Sequence, residues 1–121
     1  MKKTILLVED YEDTRGFMKI LLEGFGYLVV EAADGIEAID KFKLFHPDLI
    51  LMDISLPTVD GLTTTKAIRE FINGNRIPII ALTAFGNLYF KRAIEAGCNN
   101  VITKPVDFES LKPILNLYLE A

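Results

Sequence analysis

The 121-residue chain has one cysteine, Cys98, one histidine, His46, and no tryptophan. A single cysteine cannot close a disulfide within the chain, and a free thiol fits a reducing compartment. Cys98 itself is expected to be a small buried residue near a strand. Long apolar runs are also missing. Leu49 to Met52 and Ile77 to Leu82 are far too short to span a bilayer, so no membrane association is expected. Met1-Lys2-Lys3 and the small or apolar residues after them mimic the start of a signal peptide, but Glu9-Asp10 interrupts the stretch, and the expected location is the cytoplasm. Basic charge is scarce as well. Thirteen Lys and Arg face 17 Asp and Glu, giving a net charge of -4. That balance offers no footprint for nucleic acid or an anionic lipid surface. There is no linker, repeat or low-complexity stretch, so residues 1–121 read as one domain, large enough for a real core but too small for a second lobe.

The remaining pattern alternates short apolar strands with longer segments of helical period, which predicts an α/β fold with a parallel sheet. Strands are expected at about Thr4 to Val8, Tyr27 to Ala32, Leu49 to Met52 (running into Asp53), Ile77 to Thr83 and Val101 to Thr103. A first helix should run from about Glu12 to Phe25, with Phe17, Ile20, Leu21 and Leu22 on its apolar face and Gly24 and Gly26 bracketing its stop. Asp34 followed by Glu37 resembles a capping box for a second helix, with Ile36, Ile39 and Phe42 along one face and His46-Pro47-Asp48 as its break. A third helix is expected from about Leu62 to Phe71, ended by Asn73-Gly74-Asn75, and a fourth from about Asn87 to Ala96, stopped by Gly97. The last runs from about Phe108 to Leu119 with Asp107 as cap. Pro113 is awkward there: either that helix kinks, or it starts near Ser110 and holds the proline in its first turn.

The chemistry-bearing residues fall at the C-terminal ends of the strands: Glu9 and Asp10, Asp53, Thr83, and Lys104. Parallel strands share one C-terminal edge, and ligand sites collect in the crevice outside it. Any one edge acid alone is most simply a solvated surface charge; three acids with a hydroxyl and a lysine are a site. Mutual repulsion makes three clustered carboxylates costly without a cation. Mg²⁺ would relieve that cost, since it takes oxygen ligands and keeps waters that a phosphoryl group can displace.

With Glu9-Asp10, the loop Asp53 to Gly61, Thr83-Ala84 and Lys104-Pro105 in this order, the chain resembles the receiver domains of bacterial two-component response regulators over essentially its whole length. The resemblance implies a flavodoxin-like three-layer sandwich, a five-stranded parallel sheet of order 2-1-3-4-5 with five helices. It implies a phosphoacceptor switch: Asp53 takes a phosphoryl group from a sensor histidine kinase or a histidine phosphotransfer protein, the protein catalyses only its own phosphorylation and dephosphorylation, and an output partner or domain responds. Asp53, Asp10 and the Ser55 carbonyl would ligate Mg²⁺, with Glu9 acting through a water. Lys104, the Thr83 hydroxyl and the Ala84 N–H would bind the phosphoryl oxygens, and the Lys104-Pro105 bond would be cis. Pro57 and Gly61 would shape the loop after Asp53, by fixed φ and by access to positive φ. Ser55 and Phe85, two places after Asp53 and Thr83, would tune hydrolysis.

Some positions depart from the family pattern. Val101 stands where relatives carry an aromatic switch residue, which points to the segment Ala84 to Tyr89 as the moving part. Asn99-Asn100 lacks the acids of a common dimer face. His46 reads as a turn residue at the opposite end of strand three from Asp53, and Thr63-Thr64-Thr65 as the first turn of a helix. Phe85, Tyr89 and Phe90 divide between core and a partner-binding patch. Two rival functions are a haloacid-dehalogenase-like phosphohydrolase, against which Ser55 stands in place of a second aspartate, and a pseudo-receiver that only binds partners. Strand one starts close to Met1, which favours a stand-alone or N-terminal receiver.

Overall fold

The computed structural model describes residues 2–71 and 74–120. Five strands alternate with five helices: β1 (Thr4–Val8), α1 (Glu12–Gly24), β2 (Leu28–Ala32), α2 (Gly35–Phe45), β3 (Leu49–Asp53), α3 (Gly61–Arg69), β4 (Ile79–Thr83), α4 (Gly86–Ala96), β5 (Asn100–Thr103) and α5 (Phe108–Leu119). The strands form one parallel sheet in the order β2-β1-β3-β4-β5. Every residue of the inner strands β3 and β4 is buried, which is why they read as unbroken apolar runs.

Alternation along each strand divides the core into two layers. Leu6, Val8, Ile50, Met52, Ile79 and Ala81 face one side, against Ala38 and Phe42 of α2, Ile68 of α3 and Ala93 of α4. Ile5, Leu7, Leu49, Leu51, Ile80 and Leu82 face the other, against Met18 and Leu22 of α1 and Leu111 and Leu115 of α5. Among the described residues no helix is long and apolar enough to cross a membrane.

Three helices are capped by an aspartate one residue ahead of them. Asp34 accepts from the Glu37 N–H at 2.7 Å, Asp60 from Thr63 at 2.8 Å and Asp107 from Ser110 at 2.8 Å. The Glu37 carboxylate turns instead to Lys41, 3.8 Å away. Asp60 sits inside the stretch read as loop, so α3 starts one residue early, at Gly61. It also ends at Arg69, short of Phe71; of the expected stop signal, Asn73 lies outside the described residues.

Three expectations need correction. Phe17 and Ile20 of α1 are 58% and 71% exposed; Met18 and Leu22, one turn apart, form the buried seam. Ile36 in α2 is exposed too, and Gly35, Ala38 and Phe42 are the buried residues there. Gly61 does not need positive φ; a Cβ there would overlap the Asp53 carbonyl oxygen, so glycine permits a close crossing of two backbones. The positive φ in that loop belongs to Thr58, at 68°. As expected, α5 starts at Phe108; of the two alternatives for Pro113, the start near Ser110 is thereby excluded and the proline lies in the second turn.

Candidate functional site

The register aligns the strand exits. Val8 pairs with Ala32 and Met52, Asp53 with Leu82, and Thr83 with Thr103. Glu9 extends β1 by one residue, its N–H donating to the Ala32 carbonyl at 3.0 Å. The Lys104 N–H donates to the Thr83 carbonyl at 2.7 Å, which fixes where the lysine leaves β5. From there Lys104 Nζ reaches Glu9 Oε1 at 2.8 Å and Asp53 Oδ2 at 3.1 Å. Carboxylates 95 and 51 positions before the lysine thus share its one ammonium group.

Glu9 and Asp53 are 1% and 3% exposed, whereas Asp10 is open to solvent. Oxygens of Glu9, Asp10 and Asp53, one from each, lie within 4.8 Å of one another. Glu9 Oε2 accepts from the Tyr11 N–H at 3.2 Å, and Asp53 Oδ1 from the Ser55 N–H at 3.0 Å. Burial pushes the Glu9 carboxyl above its ordinary value, and Asp53 beside it adds to the push; the Lys104 hydrogen bond opposes it. Burial by itself would pull the Lys104 ammonium down, but Glu9 and Asp53 outweigh that and hold it above its usual value.

One ammonium among three carboxylates leaves the cluster short of positive charge. A divalent cation with oxygen preference fits this donor set: Asp10 is exposed on the open side, and the buried pair is already held by Lys104.

Around the acids, the Thr83 hydroxyl is buried and accepts from the Phe85 N–H at 3.1 Å. Ala84 is exposed and lines a groove of about 570 Å³ with Lys104, Pro105, Val106 and the α1 residues Asp13, Thr14, Phe17 and Met18. The Lys104-Pro105 peptide is cis. Ser55 is exposed, and the Phe85 side chain is 63% exposed. His46 ends α2 in the left-handed region, at φ 47°, so its place is a turn. Thr63 and Thr64 lie at the first turn of α3 and Thr65 just beyond it, Thr64 and Thr65 buried, and Cys98 is 5% exposed.

Sequence reasoning missed Arg15. It donates to the Glu9 carbonyl at 3.0 Å and to Glu31 at 3.2 Å, setting a second cation behind the acidic pair. Its position one turn into a helix that starts right after Glu9-Asp10 is the only signal that could have flagged it.

The response regulator receiver domain model matches residues 5–116. The polar-differentiation response regulator DivK of Brucella ovis is 38% identical over 120 residues, covering 98% of each chain. The receiver domain of a sensor histidine kinase from Pseudomonas aeruginosa, solved with a magnesium ion coordinated in its active site cleft, superposes with a TM-score of 0.93 at 37% identity, over 100% of both chains. Chemotaxis protein CheY4 of Vibrio cholerae superposes with a TM-score of 0.93 at 28% identity, over 98% of this chain and 100% of the other.

Proposed function

Because the chain belongs to the response regulator receiver domain family, we propose that Asp53 is the phosphoacceptor of a two-component switch, served by Lys104 and by a Mg²⁺ site at Asp10. Receiver domains act with histidine kinases or phosphotransfer proteins, and the donor here is a phosphohistidine on one of these. The observation that carries the reading is the Lys104 ammonium bridging buried Glu9 and Asp53 beside an open Asp10.

Asp10, Asp53 and the Ser55 carbonyl would hold Mg²⁺, with Glu9 reaching it through a water. Bound there, Mg²⁺ neutralises acid charge and phosphoryl charge together. Asp53 attacks phosphorus as the donor's P–N bond breaks and the new P–O bond forms. Its Oδ1 is aimed by the Ser55 N–H and its Oδ2 by Lys104. Lys104 is already within bonding distance of Asp53, so it neutralises a phosphoryl oxygen with little rearrangement. The Thr83 hydroxyl and the Ala84 N–H take the remaining oxygens. The hydroxyl can donate there through its O–H while its oxygen still accepts from the Phe85 N–H, so a shift of the hydroxyl toward the phosphoryl group draws on that amide and couples the phosphoryl group to the start of α4.

The chain's catalysis is limited to its own phosphorylation and dephosphorylation, and a cytoplasmic location follows from the partners it needs. Ser55 and Phe85 border the approach of the hydrolytic water; neither positions a water well, so the phosphoaspartate is long-lived. Phe85→Glu and Ser55→Asn should each speed phosphate loss, and unchanged or slower loss in both would free these residues of the role. The acceptor itself is tested by intact mass after acetyl phosphate with Mg²⁺. Wild type gains one phosphoryl mass and Asp53→Asn gains none; a mutant that still gains it removes Asp53 from the role.

A further inference from the structure

Helix α4 buries little. Its buried residues are Gly86, Ala93 and Ala96, while Leu88, Phe90 and Ile94 are 71%, 51% and 40% exposed. Small residues offer little apolar area, so this helix depends on what holds its ends.

The C-terminal end is held by Arg69, the last residue of α3. Its guanidinium donates to the Gly97 carbonyl at 2.9 and 2.6 Å, to the Gly74 carbonyl at 2.6 Å, to the Ile77 carbonyl at 2.5 Å and to Asn99 Oδ1 at 2.8 Å. Gly97 is the C-cap of α4, in the left-handed region at φ 114°. The same Asn99 oxygen accepts from the Ile79 N–H at 2.9 Å, and the Asn99 N–H donates to the Ile79 carbonyl at 2.7 Å. One planar cation thus ties α3, the start of β4, the end of α4 and the turn into β5. At the other end Tyr89 packs against the core, but among the described residues no side chain ties the turn to several elements in this way. Gly86 lies so close to β5 that a Cβ would overlap Thr103 Oγ1, and the N–H of the N-cap residue Phe85 donates to the Thr83 hydroxyl.

We propose that Arg69 is a positioning residue of the switch: a pivot that fixes the C-terminal end of α4, so that phosphorylation of Asp53 moves its N-terminal turn, where Gly86 rests against Thr103. This rests on the phosphoacceptor reading above. Arg69 acts at a distance from the acids, through the helix it pins. The glycine at position 86 makes the resting contact possible, and a side chain there forces the turn outward.

The test uses the full chain, with amide chemical shifts and hydrogen exchange read with and without beryllofluoride and Mg²⁺. In wild type, beryllofluoride should perturb Ala84 to Phe90 and leave Ala93 to Asn99 unchanged. Arg69→Met should still gain a phosphoryl mass, while exchange at Ala96 to Asn99 rises about tenfold or more, as loss of hydrogen bonds to a charged group implies. Its beryllofluoride response should spread along the whole helix. Gly86→Ala should shift the Asn87 to Phe90 amides toward their beryllofluoride-bound positions without any ligand, and adding Thr103→Ala should reverse that shift. If Arg69→Met does not fold, the Gly86→Ala pair decides alone. An Arg69→Met response still confined to the first turn overturns the pivot, as does a Gly86→Ala shift that is absent or that Thr103→Ala leaves in place. A wild type that gains the phosphoryl mass yet responds along all of α4 overturns the pivot only. A wild type that neither gains the mass nor responds to beryllofluoride overturns the phosphoacceptor reading as well.

Discussion

Glu9 and Asp10 are neighbours in sequence with opposite surroundings. Glu9 is 1% exposed, bonded to Lys104 and to the Tyr11 N–H, while Asp10 stands in solvent. A carboxylate already engaged by an ammonium and an amide supports a metal ion from behind; an open one can bind it directly. Asp10→Asn should therefore lower Mg²⁺ affinity more than about 100-fold, whereas Glu9→Gln should lower it by the roughly 10–100-fold typical of supporting partners. Calorimetric titration of both variants checks this, and equal losses would contradict it. The sequence told that both acids sit at a strand exit, because an apolar run ending in two acids marks the sheet edge. It could not tell which acid turns inward. That depends on Lys104 arriving from β5, 95 positions away. Arg15 and Arg69 escaped notice for a related reason: beside one side-chain partner each, they bond to backbone carbonyls, which every residue carries and no motif marks.

Among elements, the strands were legible and the helix faces less so. β3 and β4 are buried on both sides, so their composition alone identifies them. The α1 face was misread because Phe17 and Ile20 are as apolar as Met18 and Leu22, and only the angle at which the helix meets the sheet selects between the two seams. α5 carries a conflict that the sequence stated but could not resolve. Pro113 stands in its second turn, exposed, where it can donate no hydrogen bond to the carbonyl one turn back. Asp107 and the buried Leu111, Leu115 and Leu119 nevertheless hold the helix together across it. Pro113→Ala restores the missing donor without opening a cavity. It should stabilise the fold by up to about 3 kcal/mol, less the roughly 0.4–1 kcal/mol by which proline restricts the unfolded chain. A urea midpoint at or below that of wild type would mean that α5 is already relaxed around the proline.

Over the whole molecule, the sheet order converts five scattered signals into one acid-rich corner, and the fold stabilises that corner against its own charge. The groups pull in opposite directions with pH. Burial, then Asp53, raises the folded-state value of Glu9 above its ordinary 4.5, so folding favours the protonated carboxyl. Its contribution to stability is complete below 4.5 and is lost as pH rises through the raised value. Asp107 runs the other way. Its carboxylate accepts from Ser110 and is held below the ordinary 3.8, so its contribution is present above 3.8 and disappears only as pH falls through the lowered value. Between about pH 5 and 7 Asp107 stays ionised and Glu9 sets the slope. In EDTA the protein should thus be more stable at pH 5 than at pH 7, with Asp53→Asn flattening the difference because the neutral amide no longer repels Glu9. Saturating Mg²⁺ should reverse the order, since a cation bound by carboxylates favours their ionised forms and adds about 2.7 kcal/mol at a concentration 100 times Kd. Urea unfolding at the two pH values, with EDTA and with Mg²⁺, measures all four states. A midpoint in EDTA that rises from pH 5 to pH 7 in wild type would mean that Lys104 satisfies the acids without a metal, and that repulsion in this corner is not what the cation relieves.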